Sequence, residues 1–299
     1  MSESNTSALE AATALLGTSD DYRVLRRLTP RRPITGIPEQ NIRRGLFVDV
    51  ETTGLDPTKD EIIELAMVPF CYSLDGIITE VGNAFEQLRE PSHPIPPPVS
   101  ALTGITDSMV AGHYINPDDV AKFSQSAAIV IAHNAAFDRK FLERFCPSFS
   151  SKPWACSMSE IDWVSEGYEG TKLAYLATEC GFFYDRHRAV NDCLAALEIL
   201  AHPLPVSGSN ALFQLLEKAR KPTWRIWADG APFEFKEDLK SRGYRWNGDN
   251  NGFPRAWFID VSEQDIQTEA SFLQTKIYRR DVEVSPVKIT AYDRFSERA

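Results

Sequence analysis

The stretch GLFVDVETTGLD (45–56) decides how the rest of the chain is read. Leu46, Phe47, Val48 and Val50 form the apolar run of a buried strand. Asp49 and Glu51 interrupt it just before Thr-Thr-Gly turns the backbone. Residues two apart on a strand point to one face, so both carboxylates leave the core side by side. Oxygen ligands in that arrangement suit a hard cation, magnesium or manganese. Alternating acids also occur on plain exposed strand faces, so the pair needs support from the rest of the chain.

Outward from this strand, residues 45–205 alternate strand-like and helix-like segments. EIIELAMVPFCYS (61–73), GIITEVGNAFEQL (76–88) and AIVIAHN (128–134) read as strands. DRKFLERF (138–145), TKLAYLATECG (171–181) and HRAVNDCLAALEIL (187–200) read as helices. Strands followed by helices imply an α/β layer fold around a central sheet. Before it, residues 1–44 form an extension: SALEAATALLG is helical in composition, and TPRRPITGIP is an irregular connector. HPLPVSGSN (202–210) marks a boundary, and ALFQLLEKAR makes 206–222 a linker helix. From 223 to 299 the character changes, with Trp224, Trp227, Trp246 and Trp257 concentrated there.

Composition narrows the function. At 299 residues, with 43% hydrophobic and 25% charged residues, the chain has the makeup of a soluble globular protein with a sizeable core. No apolar run approaches the roughly 18 residues of a membrane helix, and the polar start MSESNTS has no signal core. Five scattered cysteines without a Cys-x-x-Cys pair read as reduced thiols of a cytoplasmic protein. A net charge of −10 argues against a broadly basic nucleic-acid binder, yet a site for divalent cations must itself be acidic. Seven arginines (23, 26, 27, 31, 32, 43, 44) face one acid, Glu39, between positions 23 and 44. That segment reads as a solvated arm, a phosphate contact or a dock for an acidic protein partner.

Two further segments carry chemistry. In IVIAHNAAFDRKFLERF a β-rich run ends at His133-Asn134 and a helix follows. Phe137, Phe141, Leu142 and Phe145 face its core, and Asp138 lies in the first turn, where the helix dipole favours a carboxylate. In HRAVNDCLAALEIL, Val190, Cys193 or Leu194, Leu197 and Leu200 make an apolar stripe. His187 and Asp192 are about 140° apart on an ideal helix; they converge only if His187 sits on the preceding loop.

FVDVETTG, AHNAAFD and HRAVND, in this order, resemble the DEDDh branch of the DnaQ-like 3′–5′ exonucleases. IPPPVSALTGIT (95–106) resembles that family's stretch between its first two motifs. The likeness spans about 45–205. In the related DEDDy branch a tyrosine takes the place of the histidine. The resemblance implies a ribonuclease-H-like mixed sheet flanked by helices. It implies Asp49, Glu51, Asp138 and Asp192 as ligands of two divalent cations, Mg2+ or Mn2+, and His187 as the general base. The expected products are 5′-mononucleotides cut from 3′ ends of nucleic acid, with DNA ahead of RNA. The resemblance also implies that Thr52, Thr53, Gly54, Leu55, Thr103, Ile105, Asn134 and Phe137 shape the substrate site, Leu55 against the terminal base. RNA trimming is the enzymatic alternative, and a degenerate binding scaffold the nonenzymatic one.

The segment 223–299 reads as a small α+β module. A strand leads into the helix PFEFKEDLKSR, with Gly243 as its cap. YRW and AWFIDV form a hairpin around GDNNG, and SEQDIQTEASFLQTKIY is a second helix capped at Ser262. Its tryptophans, with Arg225, Lys240, Arg242, Arg245 and Arg255 among them, are first a core. Stacking on bases and docking of a protein partner are the competing roles.

Overall fold

A computed structural model describes residues 3–248 and 252–299. Helix α1 (Glu3–Leu16) precedes the short strand β1 (Arg26–Arg27). The long strand β2 (Ile42–Thr52) follows, then β3 (Ile62–Ser73), β4 (Ile78–Val81) and β5 (Phe85–Leu88). Helices α2 (Pro97–Thr103), α3 (Asp107–Val110) and α4 (Pro117–Ser124) lead to β6 (Ile129–Ala132), α5 (Ala135–Phe145) and β7 (Trp154–Cys156). Then come α6 (Leu173–Glu179), β8 (Phe182–Phe183), α7 (Ala189–Leu200) and α8 (Ala211–Arg220).

The main sheet runs β4-β3-β2-β6-β7, with β5 also paired to β3. β2 is antiparallel to β3 and parallel to β6, so the sheet is mixed. Strand alternation divides β2 between two cores. Leu46, Val48 and Val50 join Val120, Phe141 and Leu142 on one face. Phe47 joins Leu176, Cys193 and Leu197 on the other. Asp49 and Glu51 are in phase with Phe47 and therefore emerge on the α7 face.

The expected single strand GIITEVGNAFEQL is two strands, both antiparallel to β3. The break falls opposite Pro69, whose carbonyl accepts the Gly82 N–H at 2.8 Å. Proline has no N–H to return, so the ladder cannot continue past it. The stripe on α7 is wider than the pattern suggested: Ala189, Ala195, Ala196 and Ile199 are buried along with Cys193, Leu197 and Leu200.

The expected linker helix is α8, and it packs Leu212, Leu215 and Leu216 into the same cluster as Phe47 and Leu197. The turn between β3 and β4 meets it so closely that a Cβ on Gly76 would lie 2.5 Å from the Phe213 nitrogen. The arginine-rich segment lies along the α/β domain through ion pairs, not as a free arm. β1 pairs with β8, and Arg23, Arg27 and Arg31 bond Glu179, Asp185 and Glu198, while Arg26 bonds Glu10. Those four guanidinium groups are spent on acids of the same chain, which weakens the phosphate-contact reading.

The last module contains β9 (Thr223–Ala228), α9 (Lys236–Ser241), β10 (Arg245–Trp246), β11 (Trp257–Val261), α10 (Ile266–Phe272) and β12 (Val287–Ile289). Its sheet order is β10-β11-β9-β12. Ile226, Ala228, Leu239, Tyr244, Leu273 and Ile277 form its core. Gly243, at φ +94°, ends α9. The Tyr244 N–H reaches the Leu239 carbonyl and the Gly243 N–H the Lys240 carbonyl, closing the helix end as expected. β10 and β11 pair as a hairpin, while 249–251 of GDNNG lie outside the described residues. Ser262 begins the second helix, but its hydroxyl bonds the Asp265 carboxylate at 2.6 Å, not a backbone N–H. Among the expected base-contacting cations, Arg225 and Arg245 bond Asp260, Arg242 bonds Glu269 and Lys240 bonds Glu237.

No helix among the described residues is long and apolar enough to cross a membrane. All five cysteines are free thiols.

Candidate active site

β2 carries Asp49 and Glu51 to the end of the sheet, where Glu51 faces Glu64 of β3 and the register slips immediately afterwards. A bulge there re-aims the strand end. α7 supplies Asp192 from its first turn. Carboxylate oxygens of Asp49, Glu51 and Asp192 all lie within 4.8 Å of one another.

His187 precedes α7 with φ +62°, a left-handed conformation that side-chain-bearing residues rarely adopt. This turn solves the divergence set by helical spacing. It folds the His187 N–H back to Asp192 Oδ2 at 2.9 Å. Tyr184 donates its hydroxyl to Oδ1 at 2.8 Å, so both oxygens of Asp192 are held from its own chain segment.

Asp138 comes from the other side of the sheet. It is buried in the first turn of α5 and accepts the Val50 N–H at 3.2 Å. Val50 lies between the two acids of β2, so Asp138 abuts the cluster without joining the three converging carboxylates.

Electrostatics mark the site. Burial raises the Asp49 carboxyl well above the usual range, with Asp138, Asp192, Glu51 and Glu64 adding repulsion. Burial, then Asp192 and Glu64, push Glu51 up to about 7. Burial also raises Asp138 and Asp192, against the hydrogen bonds each accepts. Among the described residues no side chain forms an ion pair with Asp49 or Glu51. Unpaired, half-buried carboxylates at this spacing call for positive charge, and an all-oxygen donor set fits Mg2+ or Mn2+.

Two supports were missed in the sequence. Glu64 is fully buried and accepts the Ala189 N–H at the start of α7 at 2.9 Å, with Arg188 Nε at the same distance. Arg188 also reaches Glu86 at 3.2 Å. An acid in the middle of the apolar run EIIELAMV was the available signal. Tyr184, in GFFYDRH, carried none.

The expected substrate residues divide. Leu55 is 84% exposed at the turn, which excludes a core role. Thr52 bonds the Gly54 carbonyl at 2.6 Å, and Thr53 receives the Glu61 N–H. Gly54 lies against the Asp60 carboxylate, 2.5 Å from where a Cβ would be, so a side chain there would have to displace that carboxylate. Asn134 is exposed at the start of α5 with φ +93°. Phe137 is partly buried, its ring 4.9 Å from that of Phe141. Thr103 and Ile105 are corrected. Ile105 is fully buried with Ile63, Ile95 and Val110. The Thr103 hydroxyl is spent on the Val99 carbonyl and the Ile105 N–H. Both build the turn around Gly104 and line no open surface. His133 is likewise structural, its ring nitrogens on Ser157 and the Thr171 carbonyl.

A family profile, RNase T, described as an exonuclease, matches residues 46–200. The chain belongs to the RNase T exonuclease family. The chain carries its acids and histidine in the DEDDh order. It is 32% identical over 168 residues to DNA polymerase III subunit epsilon of Aquifex aeolicus, covering 53% of this chain and 80% of that protein. It is 32% identical over 174 residues to the PolC-type DNA polymerase III of Caldanaerobacter subterraneus, covering 56% of this chain but only 12% of the polymerase. The structure of exonuclease X in complex with 5′ overhanging duplex DNA superposes with a TM-score of 0.44 at 27% identity, covering 58% of this chain and 98% of that one.

Proposed function

We propose that this chain is a metal-dependent 3′–5′ exonuclease that removes 5′-mononucleotides from single-stranded or frayed 3′ ends of DNA. The convergence of Asp49, Glu51 and Asp192 beside His187 carries the reading. Asp49, Glu51 and Asp192, with Asp138 alongside, would hold two divalent cations. When bound, such ions offset charge on the attacking and leaving oxygens of a phosphodiester.

The chain's own groups do the rest. An imidazole nitrogen of His187 takes the proton of the attacking water, a role suited to neutral pH. The left-handed turn at His187 ties its backbone to Asp192 through the N–H hydrogen bond. Tyr184 and the His187 N–H keep the Asp192 carboxylate from rotating. Exposed Leu55 offers an apolar edge to the terminal base, and the braced turn 52–54 holds it there. Asn134, exposed at the head of α5, would donate to the end of the strand.

End-labelled single-stranded DNA, duplex DNA and RNA, each with Mg2+, Mn2+ or chelator, test this. The expected result is stepwise release of 5′-mononucleotides from DNA, abolished by chelator and by Asp49→Ala. His187→Ala should lose about 10²–10⁴-fold in turnover while still binding Mn2+. An Asp49→Ala protein with full activity, or release from RNA only, overturns the proposal.

A further inference from the structure

The segment 290–299 leaves the small module and returns to the nuclease core. Strand β9 starts at Thr223, directly after α8, and β12 ends at Ile289. These two residues are register partners in adjacent strands. The chain therefore enters and leaves the module at one place. Beyond it, the Trp154 N–H at the start of β7 donates to the Ala291 carbonyl at 2.8 Å. Phe295 packs into the cluster of Phe141, Phe149 and Trp154.

Arg139 makes the strongest tie. It follows Asp138 on α5 and is fully buried. Nη1 donates to the carbonyls of Arg294 at 2.6 Å and Ala291 at 3.3 Å, and Nη2 to that of Tyr292 at 2.6 Å. Nε binds Glu143 at 2.6 Å, one turn along the helix, and Glu143 also receives both Nη atoms of Arg298. On the other side, Arg294 pairs with Glu160 at 2.5 Å and donates to the Lys218 and Lys221 carbonyls at the end of α8. A buried guanidinium needs its acceptors, and three of the acceptors of Arg139 are carbonyls of 290–299.

We infer that 223–289 is a module inserted into the nuclease domain, and that 290–299 completes that domain by holding α5, and with it Asp138, in register. Arg139 is then a positioning residue. Its metal-related consequence rests on the proposed cation site, whereas the inserted arrangement does not.

Four proteins decide it: the full chain; a truncation after Ile289; a truncation after Pro222; and an excision joining Pro222 to Thr290 through a short Gly-Ser linker. Thermal melting and Mn2+ binding by calorimetry are read for each. The excision variant is expected to melt and bind Mn2+ like the full chain. Both truncations are expected to melt lower and bind Mn2+ about 10–100-fold more weakly, the range for groups that orient ligands. A synthetic peptide of residues 290–299 should restore Mn2+ binding to the truncation after Ile289. Arg139→Lys in the full chain keeps the charge without the fork and should weaken Mn2+ binding part-way, so the inference stays testable if a truncation aggregates. A truncation after Ile289 that matches the full chain overturns it. So does an excision variant that melts as low as the truncation after Pro222. If no protein binds Mn2+, the cation site fails, and the melting order alone still judges the inserted arrangement.

Discussion

The raised carboxyl of Glu51 makes metal-free stability depend on pH in an unusual direction. In the folded chain it moves from the ordinary 4.5 to about 7. A group raised on folding binds more protons folded than unfolded, so stability falls as pH rises between those values. The penalty is absent below 4.5 and complete above about 7. At about 1.4 kcal/mol per pH unit, the span amounts to about 3 kcal/mol. Urea unfolding of chelator-treated protein, from about pH 4 to pH 8, measures it. Carboxylates with lowered values, such as Glu61 and Glu143, tilt the curve the other way. The informative quantity is therefore the difference from Glu51→Gln, which carries the same background. The gap between variant and parent should widen by about 3 kcal/mol toward high pH, and Mn2+ should close it by stabilising the parent. Parallel curves for the two proteins would refute the electrostatic account of the site.

Other perturbations separate support from chemistry. Glu64→Ala removes the partner of Arg188 and of the α7 amide; unfolding should show a loss of about 3–5 kcal/mol, with Glu64→Gln clearly milder. Tyr184→Phe frees one oxygen of Asp192, and calorimetry should show Mn2+ affinity about tenfold weaker with the fold intact. Leu55→Ala should leave stability within about 0.5 kcal/mol, given its exposure, while raising KM for single-stranded DNA.

Local patterning made the strands and helices around the acids readable, because burial on two faces leaves its trace in alternation and in the Phe137–Phe141 spacing. The pairing of Asp192 with His187 was readable only as a condition. Its solution, a histidine at positive φ, leaves no mark in residue type. TGIT looked like a pocket wall because of where it stands in the chain. Its residues instead spend themselves on a tight turn, with Ile105 in the core. Glu64 was overlooked because its partners, Arg188 and Ala189, lie over a hundred residues away. Three arginines of the 23–44 segment likewise find their acids far downstream, at Glu179, Asp185 and Glu198. Charge counted locally cannot register that.

The arginine strap also sets an order of events during synthesis. Arg23, Arg27 and Arg31 meet partners 156, 158 and 167 positions later. At roughly 5–20 residues per second, a ribosome exposes these cations for on the order of ten seconds or more before Glu179, Asp185 and Glu198 emerge to receive them. The segment that carries them therefore docks long after it is made, once the acids that receive it have been synthesised.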